Sequence, residues 1–515
     1  LNILDNINLV FKLYDTHQKI EGAKAESLED FLSWANTLLQ DFNEVDRYLV
    51  SAEELYSFLS EAKAIENWNL GNAELSDFQK NYLHFWRKLG DYYKLFSEQL
   101  LDDHTAYQGL AFRKLAGDLK ANKVDYAKGK IRYFAGFNAL TLAEELIIQH
   151  FVKNENAKII WDADAYYLND SNQEAGRFLR DYQKKFNSFD WTSSELLEGE
   201  KEINIYSISG DIGQAKLIGE LVSQKQAANA LENTAIVLGD EDILMPVLES
   251  LPKTVDRINV TMGYALNHSI FYHFFESLID LHFKQEKMKD GGFYFKDLIR
   301  FLEQPAIQHI HKGLSNQAKI LLDKIKAERL IYLHPSKMQP LEDQLGLKIF
   351  SLKEKSAVQL NRLMVQLCEQ IKRHQKGSLS PLEKEFLFGF YRAFNRIDAL
   401  CAKYNSLKSF DSLLQLYRQI LSTESVAFVG EPLGGLQLMG VLESRTLDFE
   451  QLIFSSLNEG ILPAGKSQNS FIPYDIKRKF GLPSYREKDA IFAYHFYRLL
   501  QRSKRIDLIY NSKVD

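Results

Sequence analysis

Apolar residues recur at three- and four-residue spacing through the first part of the chain. Residues 1–20 read as an amphipathic helix already under way. Residues 27–39 and 51–64 follow, each opened by a Ser with an acidic residue about three positions on, as helix starts often are. Residues 76–101 carry a stripe of Phe78, Tyr82, Phe85, Trp86, Leu89, Tyr92, Tyr93 and Phe96, whose helical spacing marks a core face rather than a binding surface. Near Lys130 the texture changes. Residues 131–137 are strand-like, 142–151 helical and 158–161 a second short apolar run, a strand–helix–strand unit that implies parallel strands joined by a right-handed crossover.

A second alternation follows, with strands at 203–209, 234–238 and 257–261 and helices at 212–226 and 242–251. From about Leu266 to Ser422 the pattern is again mostly helical, for instance at 357–375 and 381–403. Strands return at 426–430, 435–442 and 450–455, then a helix at 488–502 and a last strand at 506–510. These final strands have no sheet of their own, so the economical arrangement returns them to the sheet begun at Ile203, with the helical block inserted into that domain. Interrupted domains of this kind are typical of helicase-like motors. The chain stops directly after a strand and starts within a helix, which reads as an internal piece of a larger protein.

Composition adds bounds. The 515 residues correspond to three or four domains at about 150 residues each. Aromatics at 12% argue against disorder, and only 10 Pro allow long uninterrupted helices. No window approaches a membrane-spanning apolar run. Two cysteines, Cys368 and Cys401, are too few for a disulfide scaffold and fit a reducing cytoplasm. A net charge of -6 demands no polyanionic partner globally, yet a local basic groove is invisible in such a sum.

Several chemistries are absent from the sequence: there is no phosphate-cradling P-loop, no zinc-spaced Cys/His cluster and no nucleophile elbow. His309 and His311 form a lone H-x-H without a nearby carboxylate pair. Three segments are more informative. Tyr133 to Thr141 closes the first parallel strand, where ligands of parallel sheets bind, but holds no acid for Mg²⁺. Trp161-Asp162-Ala163-Asp164-Ala165-Tyr166-Tyr167 follows the next strand, and its carboxylates and aromatics suit a metal or a stacked base, or a polar turn capping the next segment. Arg498, Arg502, Lys504 and Arg505 cluster at the end of a helix, either as a basic C-terminus favoured by the helix dipole or as a phosphate-facing group.

The C-terminal segments resemble UvrD/Rep-type superfamily 1 helicases and their RecB/AddA relatives. Leu438 to Phe449 followed by Asn458-Glu459-Gly460-Ile461-Leu462-Pro463 is similar to their fifth motif, T-I-H-x-x-K-G-L-E-F and an N/E-E-G-x-x-P turn. Leu499 to Lys504 resembles their sixth motif, with Arg502 at the nucleotide-contacting arginine; Phe134 to Ala139 falls at the Walker B segment and Trp161 to Tyr167 at the third motif. The departures are Ala135 and Gly136 at the Walker B acids, and Leu442, Arg445 and Thr446 at the His, Lys and Gly of the fifth motif. Without metal ligation and water activation, ATP hydrolysis loses most of its electrostatic catalysis. This degeneration resembles the AddB/RecC side of two-subunit helicase–nucleases, and Thr261-Met262-Gly263-Tyr264, Ser470 to Asp475 and Phe480-Gly481-Leu482-Pro483 look like AddB-type proteins of the Bacteroidetes.

The resemblance implies a helix-rich α/β fold, RecA-like parallel domains of a helicase core with large helical insertions. Its parts are a 1B-like domain (1–129), the remainder of domain 1A (130–200), domain 2A in two pieces (201–265 and 423–515) and a 2B-like insertion (266–422). A P-loop-derived segment would precede the chain and a PD-(D/E)XK nuclease domain would follow it. The implied protein is cytoplasmic and ATPase-inactive in this region, and it channels single strands and duplex ends of DNA beside an AddA/RecB-like motor that uses ATP and Mg²⁺. Arg502, Arg445 and Glu443 would be the nucleotide-site remnant; Phe137, Asn138, Tyr166, Tyr167 and Lys504 would contact DNA; no catalytic or metal-binding residue is assigned. Two alternatives stand beside it: an active ATPase using Asp162 and Asp164 as unconventional acids, and a non-enzymatic scaffold.

Overall fold

Two runs, Thr234–Leu238 and Leu436–Gly440, are buried along their whole length, as central strands of a parallel sheet covered on both faces must be. In the computed structural model they lie side by side. It describes every residue except 67–76, 125–129, 155–156, 187–191, 228–229, 289–290, 311, 353–355, 375–378, 405–406, 408, 429–433, 464–468 and 514–515. We number the strands that matter along the chain. β1 (Arg132–Ala135) and β2 (Ala157–Ile160) form a parallel pair. A six-stranded sheet is made by β3 (Glu202–Ile208), β4 (Thr234–Leu238), β5 (Ile258–Val260), β6 (Leu436–Gly440), β7 (Gln451–Ser455) and β8 (Arg505–Asn511), ordered β3-β8-β7-β4-β6-β5 and parallel throughout.

The chain is therefore a helix-rich α/β protein. It divides into two compact units: Leu1–Ile20, Asn36–Met262 and Phe428–Asp515 form one, Glu21–Ala35 and Gly263–Ala427 the other. In the first, one face of the large sheet presents Val237, Met439, Leu452, Phe454 and Ile506 to the helix Tyr485–Gln501, which packs Leu499 and Leu500 there. The second unit is mostly helical. Helices Ile270–Glu286, Pro381–Tyr404 and Phe410–Leu421 enclose a ring cluster of Phe275, Phe390, Phe394 and Tyr417. No helix among the described residues is long and apolar enough to cross a membrane.

The last strands do stand in the sheet opened by β3. Three expectations need correction. Residues 426–430 do not join that sheet: Ser425–Ala427 pairs antiparallel with Gly263–Ala265, tying together the two ends of the long insertion, and residues 429–430 lie outside the described residues. The first helix begins at Asn6, because Asp5 accepts the Asn8 N–H at 3.0 Å and Asn2–Ile3 pairs with Thr105–Ala106. The helix expected over 27–39 runs to Arg47, since Phe42 and Val45 extend its buried stripe. In the helix Asp77–Asp102 the stripe from Trp86 to Phe96 is largely core, while the side chains of Phe78 and Tyr82 lie outside the description.

On the sheet's opposite face, from the helix Asp211–Ala227, Lys225 Nζ meets Asp507 on β8 at 2.8 Å, with both side chains buried. Asp507 also accepts from Asn204 at 3.1 Å and Tyr206 at 3.3 Å, and Lys225 donates to Gln451 at 3.2 Å. Removing one partner strands the other charge in the interior. Lys225→Met and Asp507→Asn should each lower unfolding free energy by about 3–5 kcal/mol, and the double variant by clearly less than their sum. Urea unfolding of the full cycle measures this; additive losses would mean the pair is not coupled.

Candidate functional site

Asp162 follows β2 directly, and its carboxylate is the meeting point of two guanidinium groups. Arg498 and Arg502 are four residues apart at the end of the helix Tyr485–Gln501, so they share a face. Arg502 reaches both Asp162 oxygens, at 2.9 and 3.3 Å, and Arg498 pairs with the same carboxylate through Nε. Asp448 completes the group, 2.8 Å from Arg498 and 3.1 Å from Arg502. Burial acts to lower the Arg502 pKa, but hydrogen bonds and charge from Asp162, then Asp448, hold it above its ordinary value. The Asp162 carbonyl accepts from Tyr494 at 2.9 Å, and Gln501 bridges Ser193 at 2.6 Å and Tyr167 at 3.2 Å. Neighbouring His495 is driven down to about 4 by burial, then by Arg445 and Arg498, so it is neutral at physiological pH.

Two arginines face two aspartates here, and the group carries no net charge. Asp164 is occupied elsewhere: fully buried, it caps the short helix Ala165–Asn169 by accepting from Tyr166 N–H at 3.0 Å, and it takes Ser193 Oγ at 2.8 Å. The capping alternative thus describes this residue. Among the described residues no three His, Cys, Asp or Glu side chains form a metal-holding group. His311 lies outside the described residues, as does the side chain of His309.

The remaining candidates divide. Arg445 donates twice to the Gly136 carbonyl, at 3.0 and 3.1 Å, and so ties the loop after β6 to the loop after β1. Thr446 beside it holds φ +63°, a left-handed conformation costly for a β-branched residue. Gly136 itself has φ +74°, and a Cβ there would fall on the Thr446 methyl. Glu443 stands next to Glu241, whose carboxyl is raised first by burial and then by Glu443. Lys504 pairs at the surface with Glu450 at 2.9 Å. Tyr166 is 38% exposed, its ring 5.4 Å from that of Tyr497. Two of the residues expected to contact DNA are buried: Tyr167 fully, its hydroxyl bonded to Gln501, and Asn138, which is 2% exposed.

Phe137 and Arg445 both line a cleft of about 630 Å³, which sequence reasoning did not find. One wall is the last part of the helix Leu28–Arg47, which carries Asp41 and Glu44 beyond the 27–39 span expected from sequence. The structure turns them inward. Asp41 accepts from Ser470 Oγ at 2.6 Å and Phe471 N–H at 2.7 Å, and Glu44 holds Lys477 at 2.9 Å. Burial, against these hydrogen bonds, raises the Asp41 carboxyl to about 6. No protein-family model matches the chain, and no curated protein matches it.

Two outcomes follow from this geometry. Asp162→Ala leaves Arg498 buried with only Asp448 opposite, and should lower unfolding free energy by about 3 kcal/mol, measured by urea titration. An unchanged midpoint would show that Asp448 alone suffices. For Asp41, the raised pKa means the folded state keeps a proton that the unfolded chain has lost. Its contribution to stability is therefore largest below the ordinary carboxylate value of 3.8 and falls as pH rises to about 6. Relative to wild type, Asp41→Asn should gain on the order of 2–3 kcal/mol between pH 4 and 6.5. A pH-independent difference between the two proteins would refute this.

Proposed function

We propose that this chain is the helicase-like, ATPase-inactive core of an AddB-type subunit of an ATP-dependent helicase–nuclease. It binds and channels DNA strands during double-strand-break end resection, beside an AddA/RecB-like motor. The observation that carries this reading is the group of Arg498 and Arg502 closed on Asp162 and Asp448. In the proposed family the arginine at position 502 faces nucleotide phosphate; here its guanidinium is engaged by the protein's own carboxylates. The residues do not fit a bound ATP–Mg²⁺. Ala135 and Gly136 end β1 without a carboxylate, and the φ of Gly136 together with its approach to Thr446 leaves no room for an acidic side chain. No hydrolytic step is assigned to this chain.

Two further features support the reading. The six-stranded parallel sheet, interrupted between β5 and β6 by a long helical insertion, suits a RecA-like domain 2A carrying a 2B-like block. The left-handed backbone at Thr446 falls where the fifth motif of that family has glycine. On this reading strand contacts come from Phe137, Tyr166, Arg445 and Lys504, each at least partly exposed.

The test is fluorescence anisotropy of the chain with forked DNA over a salt series, alongside ATP turnover with and without DNA. Binding should weaken as salt rises, and turnover should stay at background. DNA-stimulated turnover would sink the inactive-motor part. Absence of binding at low salt, with or without a motor subunit, would leave only a scaffold.

A further inference from the structure

β3 ends the large sheet, and among the described residues no strand pairs with its outer edge. The direction of its backbone groups follows from its bonds towards β8. Glu202 N–H donates to the Lys504 carbonyl at 2.8 Å, and the Ile208 carbonyl accepts from Ser512 N–H at 2.9 Å. Successive residues of a strand turn their backbone groups to opposite sides, so 202, 204, 206 and 208 face β8. Ile203, Ile205 and Ser207 therefore aim both N–H and C=O away from the sheet.

Sheet edges are commonly blunted by Pro, by Lys, by a bulge or by brevity. β3 runs Glu-Ile-Asn-Ile-Tyr-Ser-Ile, with no Pro, Lys or Arg, and its register with β8 is unbroken from Glu202 to Ile208. Ile203 and Ile205 are 52% and 70% exposed, on the face where their β8 partners are Ile506 and Leu508. The helix Tyr485–Gln501 covers Ile506, but Tyr510, on the same face of β8, is exposed again. Unpaired edge and apolar patch are thus continuous, which is the arrangement that takes up another strand.

One occupant matches this edge residue by residue, namely the edge itself. On a two-fold axis through Ile205, an antiparallel second β3 sets Ile205 against its own counterpart and Ile203 against the counterpart of Ser207. Every outward N–H and C=O of the strand then meets a partner. Ile203 also lies diagonal to the second Ile205, within reach of a branched side chain. On the other face Glu202 falls opposite Ile208 and Asn204 opposite Tyr206, so no like charges meet. A slip of one residue would oppose outward groups to inward ones, and a slip of two would leave an outward residue unpaired.

We propose that two copies of this chain join their large sheets through antiparallel β3 strands, about a two-fold axis at Ile205. The inference is independent of the strand-handling reading above. One strand pair with its apolar stripe is a small interface, so the dimer is a weak one.

Sedimentation velocity of the chain from about 1 to about 100 µM should show a concentration-dependent monomer–dimer equilibrium. Ile205→Lys sets two ammonium groups against each other at the axis, on a residue mostly exposed in the single copy. Its circular dichroism should match wild type, while the dimer dissociation constant should rise about tenfold or more. Ile205→Cys should form a disulfide-linked dimer on mild oxidation, with mass spectrometry placing the bridge between the two positions 205. If Ile205→Lys departs from wild type in circular dichroism, the bridge decides alone. A monomer at every concentration overturns the proposal. So does a dimer that folded Ile205→Lys leaves intact, because association then uses another surface. A dimer that Ile205→Lys breaks but Ile205→Cys does not bridge overturns the two-fold pairing, and with it a second copy as the occupant.

Discussion

One carboxylate shared by two guanidinium groups organises the first unit. Asp162 closes the short β1–β2 sheet, while Arg498 and Arg502 belong to the helix that covers the large sheet. The ion pairs therefore bind two separately formed α/β elements into one body. Arg498 and Asp162 are largely buried, and the desolvation cost of each charge is offset by the other. Tyr494 donates to the Asp162 carbonyl and Gln501 to its carboxylate and to Ser193 Oγ, and these bonds hold the acid between the arginines. The same contacts leave both guanidinium groups engaged by carboxylates.

Much of this architecture was legible because periodicity reports what a residue's own element does. The strand at 234–238 coincides with β4, and a wholly apolar run between two helices has few homes other than the middle of a parallel sheet. The return of the last strands was legible for a related reason: an unpaired strand leaves backbone groups unsatisfied. Partners were not legible. Arg502 was visible as a basic position at a helix end, but its acid lies 340 residues away, and nothing local marks it. Tyr166 and Tyr167 look alike in sequence, yet successive positions on a helical turn face directions roughly 100° apart. One is at the surface and the other in the core. Asp41 and Glu44 drew no reading from sequence, because two acids at i, i+3 carry no local mark of the segment that packs over them.

A common pattern covers Asp162, Asp507 and the cleft: in each, charge withdrawn from water is nearly matched, whereas Asp164 is buried on hydrogen bonds. Lys225 with Asp507, two arginines with two aspartates, and the paired walls of the cleft follow it. The pattern bears on recognition. A protein that handled strands only through phosphate would leave basic groups unmatched where the strand runs. Here the lining of the first unit's cleft is charge-matched, and the partly exposed candidates Arg445 and Lys504 are each engaged, by a carbonyl and a carboxylate.

The loops after β1 and β6 carry the argument about turnover furthest. Thr446 holds a backbone conformation that glycine adopts without strain. Gly136, facing it, has both a left-handed φ and a contact that forbids a Cβ. A carboxylate at position 136 would need Thr446 to move and the backbone to rotate, and Arg445, bonded to the Gly136 carbonyl, resists both. The two loops have closed on one another. On the proposed reading the loss of hydrolysis is then not two missing acids awaiting replacement. It is a rebuilt contact in which backbone shape persisted while the space for catalysis was filled.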